Sequence, residues 1–228
     1  MLGRARLEGL TFLDVGSGSG LFSLAARRLG ARVVSFDYDP ESVACTRALK
    51  RRYFADDPDW EIAEASVLDP VFMTALGRFD IVYAWGSLHH TGDLWKAMEL
   101  AANRVGTGGV LYAMVYLDRG WVSVVWRGVK RVYCSSFVGA MAILAVFVPY
   151  FAIRGGLEDL CSLKNPLRRY RDYRKKRGMS VLHDWIDWLG GYPYEFAKPP
   201  EVTRFMETRG FVLQRQVDTE YVFRRVAE

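Results

Sequence analysis

Cysteine and histidine are both scarce in this 228-residue chain, at three of each. Cys45, Cys134 and Cys161 are an odd, widely spaced set with no CxxC pair and no histidine pair nearby. That argues against a disulfide framework and a zinc site, and no metal is expected. Internal repeats and low-complexity tracts are also missing. Met1 to Leu10 carries two arginines and no sustained apolar run, so it does not read as a signal peptide. Reduced thiols without a leader predict a cytoplasmic protein. A basic face spread over the fold is lacking too, although the formal net charge is +5. Residues 164–177 hold eight bases and one acid, and subtracting that local +7 from +5 leaves −2 for the rest. Nucleic-acid binding is therefore not expected.

What the chain does have is a rhythm of short β-rich runs and helical patterns over residues 11–117, the mark of a doubly wound parallel sheet. TFLDV (11–15) runs into a glycine turn and the helical spacing of 19–29. RVVSF (32–36) is a second strand, 60–65 a weaker third, FDIVYA (79–84) a fourth and VLYAMVYL (110–117) a fifth. Asp39-Pro40 and Asp69-Pro70 each supply an N-cap and a first-turn proline. A helix over 200–209 and a hairpin of 211–217 with 221–225 close the pattern. Residues 118–198 break it and are too long for an ordinary connection, which predicts a helical insertion. One domain is thus expected from 1–117 with 199–228, and a second from 118–198.

The sharpest motif is Asp14-Val15-Gly16-Ser17-Gly18-Ser19-Gly20. A glycine turn between the first strand and first helix lets backbone N–H groups approach a ligand closely. The dinucleotide pattern GxGxxG would need glycine at position 21, where leucine stands. An acid at 14 instead suits a ligand carrying a positive amino group. Asp37, ending the second strand, is placed to accept hydrogen bonds from ribose hydroxyls.

DVGSGSG, SFDYDP, ASVLDP, FDIVYAWGSLHH and VGTGGVLYAMVY, in that order, resemble the ordered motifs of class I S-adenosylmethionine-dependent methyltransferases. The resemblance implies a Rossmann-like, seven-stranded, mostly parallel sheet of order 3-2-1-4-5-7-6, with the insertion after strand 5. It implies that Asp14, Gly16, Ser17, Gly18 and Gly20 hold the methionine part of S-adenosylmethionine, and Asp37 the ribose. Tyr38 would pack beside the adenine, Ser66 and Val67 would read its edge, and Trp85 and Gly86 would border the sulfonium. The product would be S-adenosylhomocysteine. Many relatives carry aspartate where Ser66 stands. Only ten residues precede the first strand, where relatives usually carry a helical segment over the cofactor. The insertion, a partner subunit or residues beyond this chain would do that job.

His89 and His90, in the loop after the fourth strand, have the right pKa range for a base that takes a proton from a hydroxyl. Either can instead pack or cap the next helix. The string HDWIDWLGGYPYE (183–195) concentrates rings and acids at the end of the insertion. It resembles one in a bacterial, ubiquinone-methylase-like branch of these enzymes. His183, Trp188, Tyr192, Tyr194 and Glu195 are the candidate substrate contacts of a lid, while Trp185 and Trp188 can equally serve to dock the insertion.

Residues 132–153 carry no charge over 22 positions. As one helix they would be about 33 Å long, but Ser135-Ser136, Gly139 and Pro149 interrupt them. A single crossing would also part strands that must share a sheet. A buried lid helix, or one lying at a membrane interface, is expected instead. With the basic block behind it, the stretch 132–177 is a candidate for peripheral contact at the inner membrane face. The leading expectation is O-methylation of a small molecule. The alternatives are an RNA or protein methyltransferase using the 164–177 block, or a non-catalytic cofactor-binding partner, and an oligomer is compatible with each. AWGS after the fourth strand, in place of an NPPY-like tetrad, argues against methylation of exocyclic base amines.

Overall fold

The structure, a computed structural model, describes residues 6–177 and 180–226, apart from the side chains at 166, 167 and 174–177. The charged heads of Arg174, Lys175 and Lys176 in the basic block thus lie outside the described part. The chain divides into two compact units, 1–118 with 195–228, and 119–194.

In the first unit seven strands form one sheet in the order β3-β2-β1-β4-β5-β7-β6. β1 (Thr11–Val15), β2 (Arg32–Asp37), β3 (Trp60–Glu64), β4 (Phe79–Ala84) and β5 (Val105–Met114) are parallel. β7 (Glu220–Arg225) runs antiparallel between β5 and β6 (Phe211–Val217). The central strands are covered on both faces, which is why TFLDV and FDIVYA read as continuous apolar runs. One face packs Leu13, Phe36, Val82 and Leu111 under α3 (Pro70–Ala75), α4 (Leu94–Ala102) and α9 (Pro199–Glu207). The other packs Phe12, Val33, Trp60 and Ile81 under α1 (Leu21–Arg28) and α2 (Pro40–Tyr53). The two expected Asp-Pro starts are present. Asp39 accepts the Glu41 and Ser42 N–H groups, and Asp69 those of Val71 and Phe72.

β5 begins five residues earlier and ends three earlier than its apolar run suggested. Its first half, Val-Gly-Thr-Gly-Gly, lacks the side chains that announce a strand, yet Val105 pairs with Phe79. A Cβ on Gly109 would lie 2.9 Å from the Asp80 carbonyl oxygen, so close backbone approach excludes a larger residue. The register shifts there, between Phe79 and Ile81.

The second unit is helical: α5 (Trp121–Ser135), α6 (Phe137–Cys161), α7 (Pro166–Arg177) and α8 (Val181–Gly190). The uncharged run 132–153 is not one helix. Ser136 is extended and caps α6 by accepting the Gly139 N–H at 3.1 Å, so α5 and α6 form a hairpin. A Cβ on Gly139 would stand 2.3 Å from the Val132 carbonyl oxygen, which the tight turn forbids. Rings close the hairpin and hold it to α8: Trp126 meets Phe147 of α6 at 5.2 Å and Trp188 of α8 at 4.5 Å, and Phe151 meets Trp185 at 5.5 Å. Lys130 is fully buried, donates to the Trp188 carbonyl and lies 4.3 Å from that residue's ring centre. Burial holds its ammonium down to about 8. Arg169 grips Asp159 with two bonds, of 2.7 and 2.9 Å. Of the two expectations for α6, the buried lid helix fails, because its most apolar stretch contains no buried residue.

Candidate functional site

The carboxyl ends of β1, β2 and β4 gather the glycine loop, two carboxylates and the paired histidines. Gly16, Gly18 and Gly20 have φ of +74°, +52° and +76°, a backbone that side chains resist. Gly16 is also packed: a Cβ there would lie 2.4 Å from Ser87 Cβ. Ser87 in turn ties β4 to β1 by donating its hydroxyl to the Val15 carbonyl at 2.6 Å. Gly18 differs, because no atom stands within 4 Å of where its Cβ would be. The loop is held from behind, with Asp37 accepting the Gly18 N–H at 2.8 Å and Thr46 donating to the Gly18 carbonyl at 3.2 Å. Ser17 is buried against the Thr46 hydroxyl at 3.3 Å.

Asp14 is almost wholly enclosed, and its carboxyl is raised to about 7. Burial is the main cause, opposed by the hydrogen bond from Ser23 and reinforced by the nearby Asp37 charge. A chain of donors ends on it: the Trp60 indole N–H reaches Ser35, Ser35 reaches Ser23, and Ser23 reaches Asp14, at 2.8, 2.7 and 2.5 Å. Only the acid was legible in the sequence. The two serines looked like ordinary helix and strand residues, and no local spacing joins Trp60 to them.

Around this pair stand the other expected contacts. Asp37 also accepts the Asp39 N–H at 3.0 Å, so its oxygens form a turn as well as an acceptor site. Tyr38 is 79% exposed, a bare ring just beyond it. Ser66 accepts the Leu68 N–H at 3.1 Å, and Val67 is buried beneath. Gly86 has φ +78° with open space at its Cβ position. Trp85 donates to Glu220 at 3.1 Å, and Glu220 also accepts the Tyr112 hydroxyl. Those two bonds hold the Glu220 carboxyl below its usual range. Tyr83 stacks on Tyr112 at 5.0 Å and meets Phe22 at 4.9 Å. Sequence reasoning did not single out this aromatic and acidic cluster, because its members come from α1, β4, β5 and β7.

His89 and His90 form a 3₁₀ turn, Leu88–His90, just past β4. His89 is fully buried, with Nδ1 3.1 Å from the Met114 carbonyl oxygen and its ring 4.0 Å from that of Tyr116. His90 is only half-buried, and its ring centre lies 4.3 Å from that of His89 with the planes tilted by 58°. Glu195 belongs to the sheet unit rather than the helical one. Its carboxylate accepts the Gly92 and Leu94 N–H groups at 3.0 and 3.2 Å, capping α4, and its own N–H bonds the His89 carbonyl. His183, Trp188, Tyr192 and Tyr194 lie in the helical unit. There Ser180 and His183 Nδ1 are 2.6 Å apart, Trp188 packs on Trp126, and the Tyr194 ring lies 5.2 Å from Lys130. Tyr192 is 40% exposed. Among the described residues no group of histidine, cysteine and carboxylates could hold a metal ion.

The residues suit a nucleoside with a cationic tail. They offer a desolvated carboxylate that a positive charge would relieve, a second carboxylate at the β2 end, open space over Gly18 and an exposed ring. Comparison with known proteins points the same way. A ubiquinone biosynthesis O-methyltransferase of Methylobacterium sp. is 30% identical over 112 residues, which is 49% of this chain and 43% of that protein. The one from Paramagnetospirillum magneticum is 34% identical over 103 residues, 45% and 39% of the two chains. The matched part is therefore less than half of those relatives. Magnesium protoporphyrin IX methyltransferase from Synechocystis PCC 6803, solved with bound S-adenosylhomocysteine, shares the fold at TM-score 0.56 and 14% identity. That match covers 96% of this chain and 75% of that one. An O-methyltransferase family protein from Burkholderia thailandensis has the same TM-score at 16% identity, covering 98% and 52%. Residues 2–183, most of the chain, match the family described as "Methyltransferase domain". The chain therefore belongs to the class I S-adenosylmethionine-dependent methyltransferase family.

Proposed function

We propose that this protein transfers the methyl group of S-adenosylmethionine to a hydroxyl of a small molecule, in the cytoplasm. The observation that carries the reading is the pairing of a buried, proton-hungry Asp14 with a glycine loop that stays open at Gly18. Gly16 to Gly20 and Asp14 would hold the methionine end, and Asp37 the ribose. Tyr38, Ser66 and Val67 would hold the adenine, with Trp85 and Gly86 beside the sulfur. The relatives' name, O-methyltransferase, supports oxygen as the acceptor atom.

When bound, the cofactor supplies a methyl group already activated by a positive sulfur, whose departure as a neutral thioether needs no acid. The chain's own work is alignment, which can lower a barrier by roughly 7–11 kcal/mol, and removal of the hydroxyl proton. We assign that proton to His90 Nε2 or Nδ1, since its ring is only half-buried. His89 is then the positioning residue. Its Nδ1 sits against the Met114 carbonyl, which favours a proton there and fixes the ring against which His90 packs. The acceptor hydroxyl would lose its proton to the His90 ring as it takes up the methyl group. His183, Trp188, Tyr192 and Tyr194 would recognise the acceptor. Glu195 would act indirectly, by fixing the Gly92–Leu94 corner beside the histidines.

Calorimetry with S-adenosylhomocysteine tests the cofactor half of this reading, and transfer of labelled methyl to a panel of hydroxylated acceptors tests the other. Binding without transfer to any acceptor would leave a non-catalytic cofactor-binding protein.

A further inference from the structure

α6 is the anomaly of the molecule. It has 25 residues, about 37 Å of helix, and mean hydropathy 2.0 over its most apolar window. Phe137, Val138, Met141, Val146, Ile153, Leu157 and Leu160 are each more than half exposed. Partly covered positions recur at 139–140, 143–144, 147–148 and 151–152, along the stripe that meets α5 and α8. The rest of the surface faces outward and is as apolar as the stripe. A water-facing helix would turn polar residues outward, and a helix apolar all round belongs in a core or in lipid. Soluble monomers rarely leave so large an apolar surface in water.

Bases border this surface, one of them, Arg154, in an ion pair with Glu158 at 2.9 Å. Arg127 and Arg131 are exposed on α5, Arg154 on the last turns of α6, and Arg168 and Arg171 on α7. From Val132 to Ile153 there is none. Bases bordering an uncharged helical stretch match the anionic headgroups that border hydrocarbon.

We infer that the α5–α6 hairpin embeds in one leaflet of an anionic membrane, with the uncharged stretch 137–153 of α6 in the acyl region and these arginines among the headgroups. Embedding rather than crossing follows from the sheet. β5 precedes the hairpin and β7 follows it, yet Leu111 pairs with Phe223, so the chain leaves and returns on the same side. A return needs a second spanning helix, and among the described residues α6 alone is long and apolar enough. α5, at 15 residues with three bases, is too short for the part. The occupant is thus a lipid surface, and a second copy of the chain is the outcome that would displace it.

The test is flotation of the full chain with vesicles of phosphatidylcholine containing phosphatidylglycerol, against phosphatidylcholine alone. The wild type should float with the anionic vesicles, and less as salt rises. Val146→Asp with Ile153→Asp places two carboxylates at positions already exposed to water, so folding is spared. The bound fraction should fall at least about tenfold, from the cost of charge in hydrocarbon. Unchanged S-adenosylhomocysteine binding in that variant shows the sheet unit intact. Arg131→Glu with Arg154→Glu should reduce binding to anionic vesicles specifically. No flotation of the wild type at low salt overturns the inference, as does flotation unaffected by the two aspartates. A dimer in light scattering that the aspartates dissociate, with no vesicle binding, assigns the surface to a second copy.

Discussion

Leu13 and Val146 are both aliphatic residues in regular secondary structure, yet Leu13 is fully buried and Val146 is 63% exposed. The contrast runs through the two units. In the sheet unit the central apolar runs are covered on two faces, and polar groups at strand ends are tied by named bonds. In the helical unit rings and one buried lysine hold α5 to α8, while the longest helix turns its apolar side chains outward. A sheet specifies its own cover, because crossover helices must lie on its faces. A helix apolar all round specifies only that something must cover it. Variants that strike one unit and spare the other measure how far this division holds.

The largest effect is expected at Gly18. Its positive φ and the open space above it predict that Gly18→Val abolishes S-adenosylhomocysteine binding in calorimetry, while vesicle flotation persists. Retained binding would break the cofactor placement. His90→Ala should slow methyl transfer by roughly 10²–10⁴ with cofactor affinity unchanged, and His90→Gln should not restore it. Activity in His90→Ala within threefold of wild type, about experimental scatter on a scale of 10²–10⁴, would return the ring to packing against Tyr116. Asp37→Ala should weaken S-adenosylhomocysteine about tenfold or more, since charge-assisted bonds contribute roughly 1.5–3 kcal/mol each. Equal affinity would remove the ribose from this carboxylate.

Asp14 predicts a smaller effect with a definite sign. Its folded pKa, about 7, lies above the unfolded value of 3.8. The folded chain therefore keeps a proton the unfolded chain has lost, and stability falls as pH rises from 3.8 to about 7. Asp14→Asn still accepts from Ser23 but carries no charge. Its melting temperature without cofactor should exceed wild type by a few degrees above pH 7, at about 2–4 °C per kcal/mol for a chain of this size, and the gap should close toward pH 4. Cofactor affinity should fall in the same variant. A gap that does not vary with pH would sink the idea of a strained charge. Val146→Asp is the smallest, under about 0.5 kcal/mol in water, as thermal melts would show. A larger loss would mean that α6 is covered in solution.

How much of this was legible depends on distance along the chain. Strands β1 and β4, the Asp-Pro caps and the glycine loop are local patterns and were readable as such. β5's start was hidden because Gly106 and Gly109 serve close backbone packing, Gly108 takes a positive φ, and none of the three carries a strand signal. The donor chain from Trp60 to Asp14 and the cluster of Tyr83, Tyr112 and Glu220 join residues from separate elements, so only the folded sheet shows them. Glu195 looked like part of an aromatic lid motif, but the chain re-enters the sheet unit just before it. For α6 the composition was plain, and its exposure was not, since burial depends on what the neighbouring helices leave uncovered.

The position of β7 has a consequence for how the protein is made. Leu111 leaves the ribosome long before its partner Phe223, with the whole helical unit synthesised between them. At roughly 5–20 residues per second, the β5 edge waits on the order of 5–20 s for its partner strand. An unpaired strand edge is a template for wrong pairing, and here it waits while an exposed apolar helix emerges beside it in time. Closure over so long an excursion is also entropically slow. Nascent chains halted between Cys161 and Phe211 should thus be the most dependent on chaperones, and completion of the short hairpin β6–β7 is the step that seals the sheet.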